Sequence, residues 1–316
     1  MKVEIVLRRG KDMIDILLAT YNGETYLKEQ IDSLLAQDRQ DFRVFARDDG
    51  STDKTCAILS EYESAIPERF IVIKDGEATG SAKDNFFCLL KYADAPYVMF
   101  CDQDDIWMPD KLNLTLTALQ SAEEDLGGAI LAHSDLTVVN KDNAVISPSL
   151  FALQKLDPER LYLHQLLPQN NITGCTMLMN RALVDMVRAN EGALMHDWWI
   201  GLVAAAFGHI IVAPNRIKYR QHSANEVGAK DVKSASYFKQ KLANTGGIRE
   251  SIEKTYAQAQ AFSNTYEDML SDEQKALIKV FTSLKACGKF KRMRLLSKYK
   301  LYKSGMYRKI GQIIYG

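Results

Sequence analysis

The sequence predicts an α/β fold in which a mostly parallel, mixed sheet is flanked by helices and followed by a helical C-terminal extension. Three observations lead to this prediction. Short apolar runs rich in β-branched residues alternate with helical patterns through the first half of the chain. Polar motifs directly follow three of those runs, as expected at the carboxyl ends of parallel strands. Beyond about residue 234 only helical patterns remain.

The first half contains four predicted strands, each followed by a helix. The strands are residues 13–20, 43–47, 70–73 and 97–101. Apolar residues at helical spacing predict the helices. The first helix contains Leu27, Ile31, Leu34 and Leu35, the second contains Ile58, Leu59 and Tyr62, and the fourth contains Leu112, Leu116 and Leu119. The third helix is expected at residues 85–92, after a loop at 76–80. Ser51 or Thr52 is expected to cap the second helix.

The second half has a mixed pattern and then a helical one. Strands are expected at residues 129–139, 176–179, 210–213 and 216–220, and helices at 157–166 and 198–207. Gly228 and small polar residues interrupt the pattern near residues 225–235. We therefore predict an α/β domain over residues 1–230 and a basic helical region over residues 231–316.

Composition and cysteine usage indicate a cytoplasmic globular protein. Hydrophobic residues make up 47% of the 316 residues and charged residues 25%. The five cysteines form no CxxC pair, which favours a reducing compartment. Arg8, Arg9, Lys11 and Asp12 interrupt the N-terminal apolar residues, so no signal peptide is expected. The longest uncharged stretch, residues 198–215, contains glycines and a proline and is interpreted as a buried helix and strand.

Charge is distributed unevenly along a chain whose net charge is zero. All 40 acidic residues lie at or before Glu273, and 12 of the 40 basic residues lie after it. In the tail, basic residues alternate with apolar ones over residues 289–300 and precede an apolar end at 310–315. This pattern predicts docking on an anionic membrane surface. The alternative is a solvated helical face packed on the first domain or on a second copy, and the acidic remainder argues against nucleic acid.

The motif Asp102-Gln103-Asp104-Asp105 places three carboxylates within four positions at a predicted strand end. Crowded carboxylates are unfavourable unless a cation neutralises them, and oxygen ligands suit Mg²⁺ or Mn²⁺ holding a diphosphate. A solvated acidic turn is the alternative. Thr20-Tyr21-Asn22 and Asp48-Asp49-Gly50-Ser51 follow two other strands. Because ligands bind outside the carboxyl ends of parallel strands, we expect the three motifs to converge on one site.

With these motifs the chain resembles the inverting family-2 glycosyltransferases of GT-A (Rossmann-like) fold. The resemblance covers about residues 13–225 and rests on Ala19-Thr20-Tyr21-Asn22, on the block from Asp48 to Asp53, and on the block from Asp102 to Lys111. The form Asp102-Gln103-Asp104-Asp105-Ile106-Trp107, together with Tyr219-Arg220-Gln221-His222, resembles the bacterial rhamnosyltransferase branch. That branch implies transfer of L-rhamnose from dTDP-β-L-rhamnose to a lipid-linked cell-surface glycan, at the inner face of the membrane.

The resemblance also implies roles for individual residues. Donor-binding residues would be Thr20, Tyr21, Asn22, Asp49, Lys83, Asn85, Asp102, Gln103 and Arg220, with Asp49 accepting a hydrogen bond from the pyrimidine N3–H. A turn carboxylate is the alternative for Asp49, and a solvated surface residue is the alternative for Lys83. The divalent metal would be held by Asp102, Asp104 and His222, and a structural or exposed role is the alternative for His222.

An inverting transfer also needs a general base, and the resemblance assigns this role to Asp197. The family has Glu-Asp here, and this chain has His196 in the first position. A helix N-cap is the alternative for Asp197. Trp198 and Trp199 are expected to stack on the acceptor sugar, and Gly174 belongs to the segment that would form the floor of the acceptor site.

Three other functions compete with rhamnosyl transfer. The same machinery could use a UDP-hexose donor, which would make the protein a galactosyl- or glucosyltransferase. A nucleotide-binding interaction module without turnover is a second alternative, although the presence of both Asp197 and the Asp-x-Asp pair argues against it. A phosphatase is disfavoured because that chemistry places its nucleophilic aspartate after the first strand, where this chain has Tyr21 and Asn22.

Overall fold

The computed structural model describes residues 10–214, 217–222 and 245–316. The strands in these residues are β1 Ile14–Thr20, β2 Phe42–Asp48, β3 Phe70–Ile73, β4 Tyr97–Asp102, β5 Ile106–Trp107, β6 Ile130–His133, β7 Thr137–Asn140, β8 Val145–Ser147, β9 Leu178–Asn180, β10 His209–Val212 and β11 Ile217–Gln221. The helices are α1 Leu27–Leu35, α2 Thr55–Ala65, α3 Ala82–Leu90, α4 Lys111–Leu126, α5 Leu150–Gln154, α6 Leu163–Leu166, α7 Arg181–Val184, α8 His196–Phe207, α9 Thr245–Thr265, α10 Asp272–Ser283, α11 Lys289–Lys298 and α12 Met306–Tyr315.

The main sheet has seven strands in the order β10-β6-β9-β4-β1-β2-β3. Strands β4, β1, β2 and β3 are parallel, and β9 runs antiparallel between β4 and β6. Thr20 lies opposite Asp48, and Ala19 lies opposite Asp102. The carboxyl ends of β1, β2 and β4 therefore meet at one edge, as the sequence predicts.

A second sheet has four strands in the order β5-β11-β7-β8. The single strand expected over residues 129–139 is wrong, because the chain forms β6 and β7 in different sheets. The Asp135 carboxylate turns the chain between them: its Oδ1 accepts hydrogen bonds from the backbone N–H groups of Leu136, Leu150 and Phe151. This sheet brings β11 beside β5, directly after the Asp102–Asp105 motif.

Three local predictions differ from the structure. Neither Ser51 nor Thr52 caps α2, because the Ser51 hydroxyl donates to Asp48 Oδ1 while Asp53 Oδ1 accepts from the Thr55 backbone N–H. The helix expected at 157–166 is reduced to the four residues of α6. The strand expected at 176–179 is preceded by a tight turn at Gly174–Thr176 and begins at Leu178.

The C-terminal helices share the hydrophobic core of the catalytic sheet. Trp199 of α8 contacts the rings of Phe262 and Tyr266 in and after α9, and this core continues to Leu296 and Leu301. The described part of the tail is helical as predicted, whereas the predicted boundary near residue 230 and the Gly228 loop lie outside the described residues. No helix within the described ranges has the length and apolarity to cross a bilayer.

Candidate active site

The loops after β1 and β2 are joined by polar side chains. Thr20 Oγ1 donates a 3.0 Å hydrogen bond to Asp48 Oδ1, and the Asn22 backbone N–H donates to Ser51 Oγ over 2.7 Å. Asn22 in turn accepts from the Thr52 N–H through its Oδ1, with a positive φ of 46° that asparagine tolerates. The two predicted donor-binding loops are thus hydrogen-bonded to each other at the carboxyl edge of the sheet.

Gln103 connects the loop after β1 to the end of β4. Its side-chain amide accepts from the Tyr21 N–H over 2.9 Å and donates to the Tyr21 carbonyl over 2.8 Å. A Cβ on Gly23 would lie 2.2 Å from Gln103 Oε1, so only glycine allows this approach. The Tyr21 ring itself is 57% exposed. Gln103 therefore sets the position of the carboxylate motif, and Tyr21 presents an aromatic face beside it.

Asp49 is buried and accepts several hydrogen bonds. Its Oδ1 accepts from Thr79 N–H and hydroxyl, and its Oδ2 accepts from the N–H groups of Gly80 and Ser81. Arg47 approaches Oδ1 at 3.3 Å. As expected, Asp48 serves the turn, by accepting from the N–H groups of Gly50 and Ser51. Asp49 holds the 79–81 loop against the end of β2, and its contact with a pyrimidine base stays a prediction.

Asn85 and Lys83, both assigned to donor binding, make contacts within the protein. Asn85 is buried and exchanges two hydrogen bonds with Arg47, one to the guanidinium and one to the backbone carbonyl. This position gives Asn85 a structural role and contradicts a direct donor contact. Lys83 Nζ donates to the Glu191 carbonyl over 3.2 Å and lies 3.4 Å from Asp84, so it joins α3 to the loop before α8. Its contact with a diphosphate stays a prediction.

The three carboxylates of the motif have different surroundings. Asp105 is completely buried, and its Oδ1 accepts from the Arg220 N–H over 3.2 Å. Potential ligand atoms of Asp102, Asp105 and Cys175 lie within 4.8 Å of one another. Burial raises the pKa of Asp105 and of the Cys175 thiol well above their usual values, and neighbouring carboxylates add to both shifts. The hydrogen bond of Asp105 therefore connects β11 to the motif.

Asp104 and His222, two of the three predicted metal ligands, contact each other directly, and their binding of a metal stays a prediction. Asp104 Oδ2 lies 2.7 Å from His222 Nε2, and the imidazole packs on the Tyr26 ring at 4.9 Å. Burial raises the pKa of Asp104, while the hydrogen bond from His222 lowers it. A carboxylate oxygen and an imidazole nitrogen converging at one point fit a divalent ion such as Mn²⁺. A ligand set that also includes Asp102 stays a prediction.

Arg220 is buried among partners within the protein, which does not support its assignment as a donor-binding residue. The side chain is buried, with Nε donating to the Asp104 carbonyl over 2.9 Å. Its other guanidinium nitrogens donate to the Lys141 carbonyl and to Glu29 Oε2, and the guanidinium stacks over the Tyr26 ring at 4.5 Å. Arg220 therefore positions the backbone of Asp104.

Asp197 lies in the first turn of α8 and is almost completely buried. Its Oδ1 accepts from Asn170 Nδ2 over 3.0 Å and from the Trp198 N–H over 2.5 Å, and its Oδ2 accepts from the Gly174 N–H over 3.1 Å. Burial raises the pKa of Asp197 to about 7, against the lowering effect of these hydrogen bonds. The N-cap position belongs to Met195, so Asp197 is not the cap. A carboxylate with this pKa can exchange protons near neutrality.

His196 occupies a different environment from its neighbour. Its ring contacts the rings of Phe86 and Phe100, at centroid distances of 4.2 and 4.9 Å, and burial lowers its pKa to about 3. Both ring nitrogens are buried without a hydrogen-bond partner among the described residues. A Cβ on Gly174 would lie 2.5 Å from His196 Nε2. His196 is therefore a neutral side chain that supports the Gly174 turn from behind.

The two tryptophans have different roles. Trp198 is half-buried and donates from Nε1 to the Leu166 carbonyl over 2.7 Å, which leaves its assignment to the acceptor side a prediction. Trp199 is completely buried against Phe262 and Tyr266, and its Nε1 donates to the Arg188 carbonyl. The expectation that Trp199 stacks on an acceptor sugar is wrong, because adjacent helical residues point about 100° apart.

The Gly174–Cys175 pair connects the two halves of the site. Gly174 donates its N–H to Asp197, and the Cys175 thiol lies within 4.8 Å of ligand atoms of Asp102 and Asp105. The carboxylate of α8 and two carboxylates of the motif after β4 therefore lie beside the same turn, and their service in one active site stays a prediction. Sequence reasoning missed Asn170, which precedes the 171–175 segment, and Arg47, whose charge in an apolar strand is the only signal for it.

Comparisons with known proteins agree with this architecture. The model of Glycosyl transferase family 2 matches residues 15–186. The dTDP-rhamnosyl transferase RfbG of Shigella flexneri is 26% identical over 253 residues, covering 75% of this chain and 82% of the relative. The UDP-Glc:alpha-D-GlcNAc-diphosphoundecaprenol beta-1,3-glucosyltransferase WfaP of Escherichia coli is 30% identical over 102 residues, 32% of this chain and 39% of the relative.

Among solved structures, the crystal structure of S. aureus TarS 1-349 has a similar fold. Its TM-score with this chain is 0.53 at 18% sequence identity, and the likeness covers 95% of this chain and 88% of the other. At this identity the likeness concerns the fold alone. It confirms the fold predicted from the sequence.

Proposed function

Because the chain belongs to glycosyl transferase family 2, we propose that it is an inverting enzyme in which Asp197 is the general base. The observation that supports this proposal is the turn at Gly174 and Cys175, which bonds a carboxylate with a pKa of about 7 through Gly174 and lies near Asp102 and Asp105 through Cys175. A base and a leaving-group site on two sides of one cleft are what a single displacement at the sugar C1 requires.

In this mechanism Asp197 takes the proton of an acceptor hydroxyl. The acceptor oxygen forms a bond to C1 while the bond from C1 to the diphosphate oxygen breaks, and its electron pair leaves with the nucleoside diphosphate. Hydrogen bonds from Asn170, Gly174 and Trp198 hold the carboxylate in one orientation. A base with a pKa near the working pH combines a useful ionised fraction with sufficient basicity.

The donor is proposed to lie over the loops that follow β1, β2 and β4. Thr20, Asn22 and Asp49 would contact the nucleoside, Tyr21 presents an exposed ring, and Lys83 would approach the diphosphate. Asp102, Asp104 and His222 would hold a Mn²⁺ or Mg²⁺ ion, which when bound neutralises charge on the leaving diphosphate. Gln103 and Arg220 fix the backbone on either side of Asp104.

We propose dTDP-β-L-rhamnose as the donor, with an α-linked product. The sequence Asp102-Gln103-Asp104-Asp105-Ile106-Trp107 supports this choice, as does similarity to a relative named as a dTDP-rhamnosyl transferase. A UDP-hexose donor is the second candidate, because another relative is named for transfer from UDP-Glc. That relative's name also gives a diphosphoundecaprenol-linked acceptor, which supports a lipid-linked glycan as the acceptor here, at the cytoplasmic face of the membrane.

A donor screen tests the proposal. The purified protein is incubated with dTDP-β-L-rhamnose, UDP-glucose or UDP-galactose, with Mn²⁺, Mg²⁺ or EDTA, and release of the nucleoside diphosphate is measured. We expect metal-dependent release of dTDP to be fastest. Faster release of UDP would select the hexose donor. Binding of a nucleotide sugar without turnover, with lipid-linked acceptor present, would identify a non-catalytic binding module instead.

A further inference from the structure

Helix α12 exposes an apolar stripe on its outer face. Met306, Ile310 and Ile314 are spaced four residues apart, so their side chains lie on one side of the helix. All three are exposed, Met306 to 73%. The opposite side is fixed to the protein, because Gln312 is buried and donates to the Leu301 carbonyl over 2.8 Å. An exposed apolar stripe of this kind marks an interaction surface.

Helix α11 adds further exposed apolar groups among cations. Phe290 is 87% exposed, and Met293, one turn later, is also exposed. Lys289, Lys291 and Arg294 of the same helix are also exposed. The buried Arg292 connects the two helices, since its NH1 donates to the Ile313 carbonyl over 2.9 Å. The two helices therefore present apolar side chains surrounded by positive charge.

A cleft of about 230 Å³ opens beside the stripe, and cations line it. Arg249 and Glu253 form an ion pair in its wall, and Lys285 and Arg292 add two further cations beside Ile314. No Asp or Glu follows Glu273 anywhere in the tail. This charge balance favours an anionic occupant for the surface and disfavours a symmetric contact with the corresponding surface of a second copy, which would carry the same positive charge.

The same tail is attached beside the general base. The Ser304 N–H donates to Gln169 Oε1 over 2.7 Å. Asn170, which follows Gln169 in the chain, donates to Asp197. Arg308 donates to the Gln154 carbonyl over 2.8 Å, and Arg160 donates to the Tyr302 carbonyl over 2.6 Å. A surface bound by α11 and α12 would therefore have a fixed relation to the acceptor side of the site.

We infer that α11 and α12 form a docking surface for an anionic membrane. Met306, Ile310 and Ile314 enter the interface between headgroups and acyl chains, and the surrounding Lys and Arg contact lipid phosphates. The purpose of this docking rests on the proposed lipid-linked acceptor, which it would hold at the same surface as Asp197. The binding itself requires no turnover and can be tested separately.

Flotation of the full-length protein with lipid vesicles provides the test. We expect binding to phosphatidylglycerol-containing vesicles, weakening as salt is raised, and little binding to phosphatidylcholine alone. The double variant Ile310→Ser/Ile314→Ser should lower the partition coefficient by about tenfold or more. The matched control is Val145→Ser/Ile146→Ser, which removes equally exposed apolar groups from β8 and should bind as the wild type.

A second pair of variants tests the charges. Lys289→Gln/Lys291→Gln should weaken anionic binding by about tenfold, whereas Lys28→Gln/Lys91→Gln, which changes two exposed lysines elsewhere, should not. Point variants are needed because Leu296 and Leu301 are completely buried, so truncation would open the core. Thermal melts check that every variant remains folded.

Three results would overturn the inference. They are equal binding to neutral vesicles, wild-type flotation of the Ile310/Ile314 variant, and loss of a dimer in that variant with unchanged flotation, which would make the stripe a contact between copies. Donor hydrolysis in solution should be the same for all variants. Vesicle binding as expected without turnover of any donor would reject the proposed function and leave the docking surface standing.

Discussion

Asn170 and Asp197 are 27 residues apart in the chain, yet Asn170 Nδ2 donates a 3.0 Å hydrogen bond to Asp197 Oδ1. This bond favours the ionised form of the carboxylate, whereas burial favours the neutral form. The balance between the two places the pKa of Asp197 at about 7. Asn170 also exchanges two hydrogen bonds with the backbone of Ile172, so its orientation is set before a substrate arrives.

Replacing Asp197 with Asn should abolish most of the turnover. The amide keeps the shape of the carboxylate and cannot take a proton, so we expect the rate constant of the bound complex to fall by about 10²–10⁴. Donor affinity, measured by calorimetry, should persist. Asp185→Asn, which changes an exposed carboxylate paired with Arg181, is the control and should be fully active. Lost donor affinity with unchanged turnover of the bound fraction would make Asp197 a binding residue.

Replacing Asn170 with Ala should shift the pH profile. Only ionised Asp197 accepts a proton, so kcat/KM rises with pH through the pKa of about 7. Loss of the Asn170 bond removes an interaction that lowers this pKa, and the rising limb should move upward by roughly one pH unit. Activity lost at neutral pH should return in alkaline buffer.

The control for this shift is Asn171→Ala. Asn171 Nδ2 donates to the Asp157 carbonyl, so the variant disturbs the same loop without touching Asp197. Its pH profile should match that of the wild type. An equal displacement in both variants would mean that general loosening of the loop, rather than the Asn170 bond, governs the base.

Replacing Asp104 with Asn should weaken metal binding and turnover together. The amide removes a charged ligand beside His222, and activity should fall by about 10² or more if an ion stabilises the leaving diphosphate. Calorimetric titration with Mn²⁺ measures the affinity directly. Asp110→Asn, in an exposed carboxylate that directly precedes α4, should leave both quantities unchanged. Full activity of the wild type in excess EDTA would contradict the metal requirement.

Replacing Gly174 with Ala should displace the base through His196. The new Cβ would lie 2.5 Å from His196 Nε2, and Phe86 and Phe100 flank that ring. The turn must therefore shift and weaken the N–H bond to Asp197, with an expected loss of about 10² in turnover. In a His196→Ala background the same substitution should cost less, because the ring is gone. Equal losses in both backgrounds would exclude His196 as the cause.

The predictions from sequence were correct where the direction of a strand determines the position of the motif that follows it. The convergence of the loops after β1, β2 and β4 follows from parallel pairing. Asp104 and His222 lie in contact, and their joint binding of a metal stays a prediction. The predictions failed where a polar residue serves the fold. Asn85 and Arg220 have the residue types that bind nucleotides, yet both lie buried with partners inside the protein. Their contacts come from segments too distant in the chain to be inferred.

By itself the sequence determined the α/β class, the edge of the sheet that carries the site, and the basic helical tail. These features depend on local periodicity and on the order of strands along the chain, which the residues encode directly. Only the tertiary structure decided which of two adjacent residues in the sequence is buried. Asp105 is buried beneath Asp104, and Trp199 is buried behind Trp198, because consecutive side chains point in different directions and packing from remote segments determines which one reaches solvent.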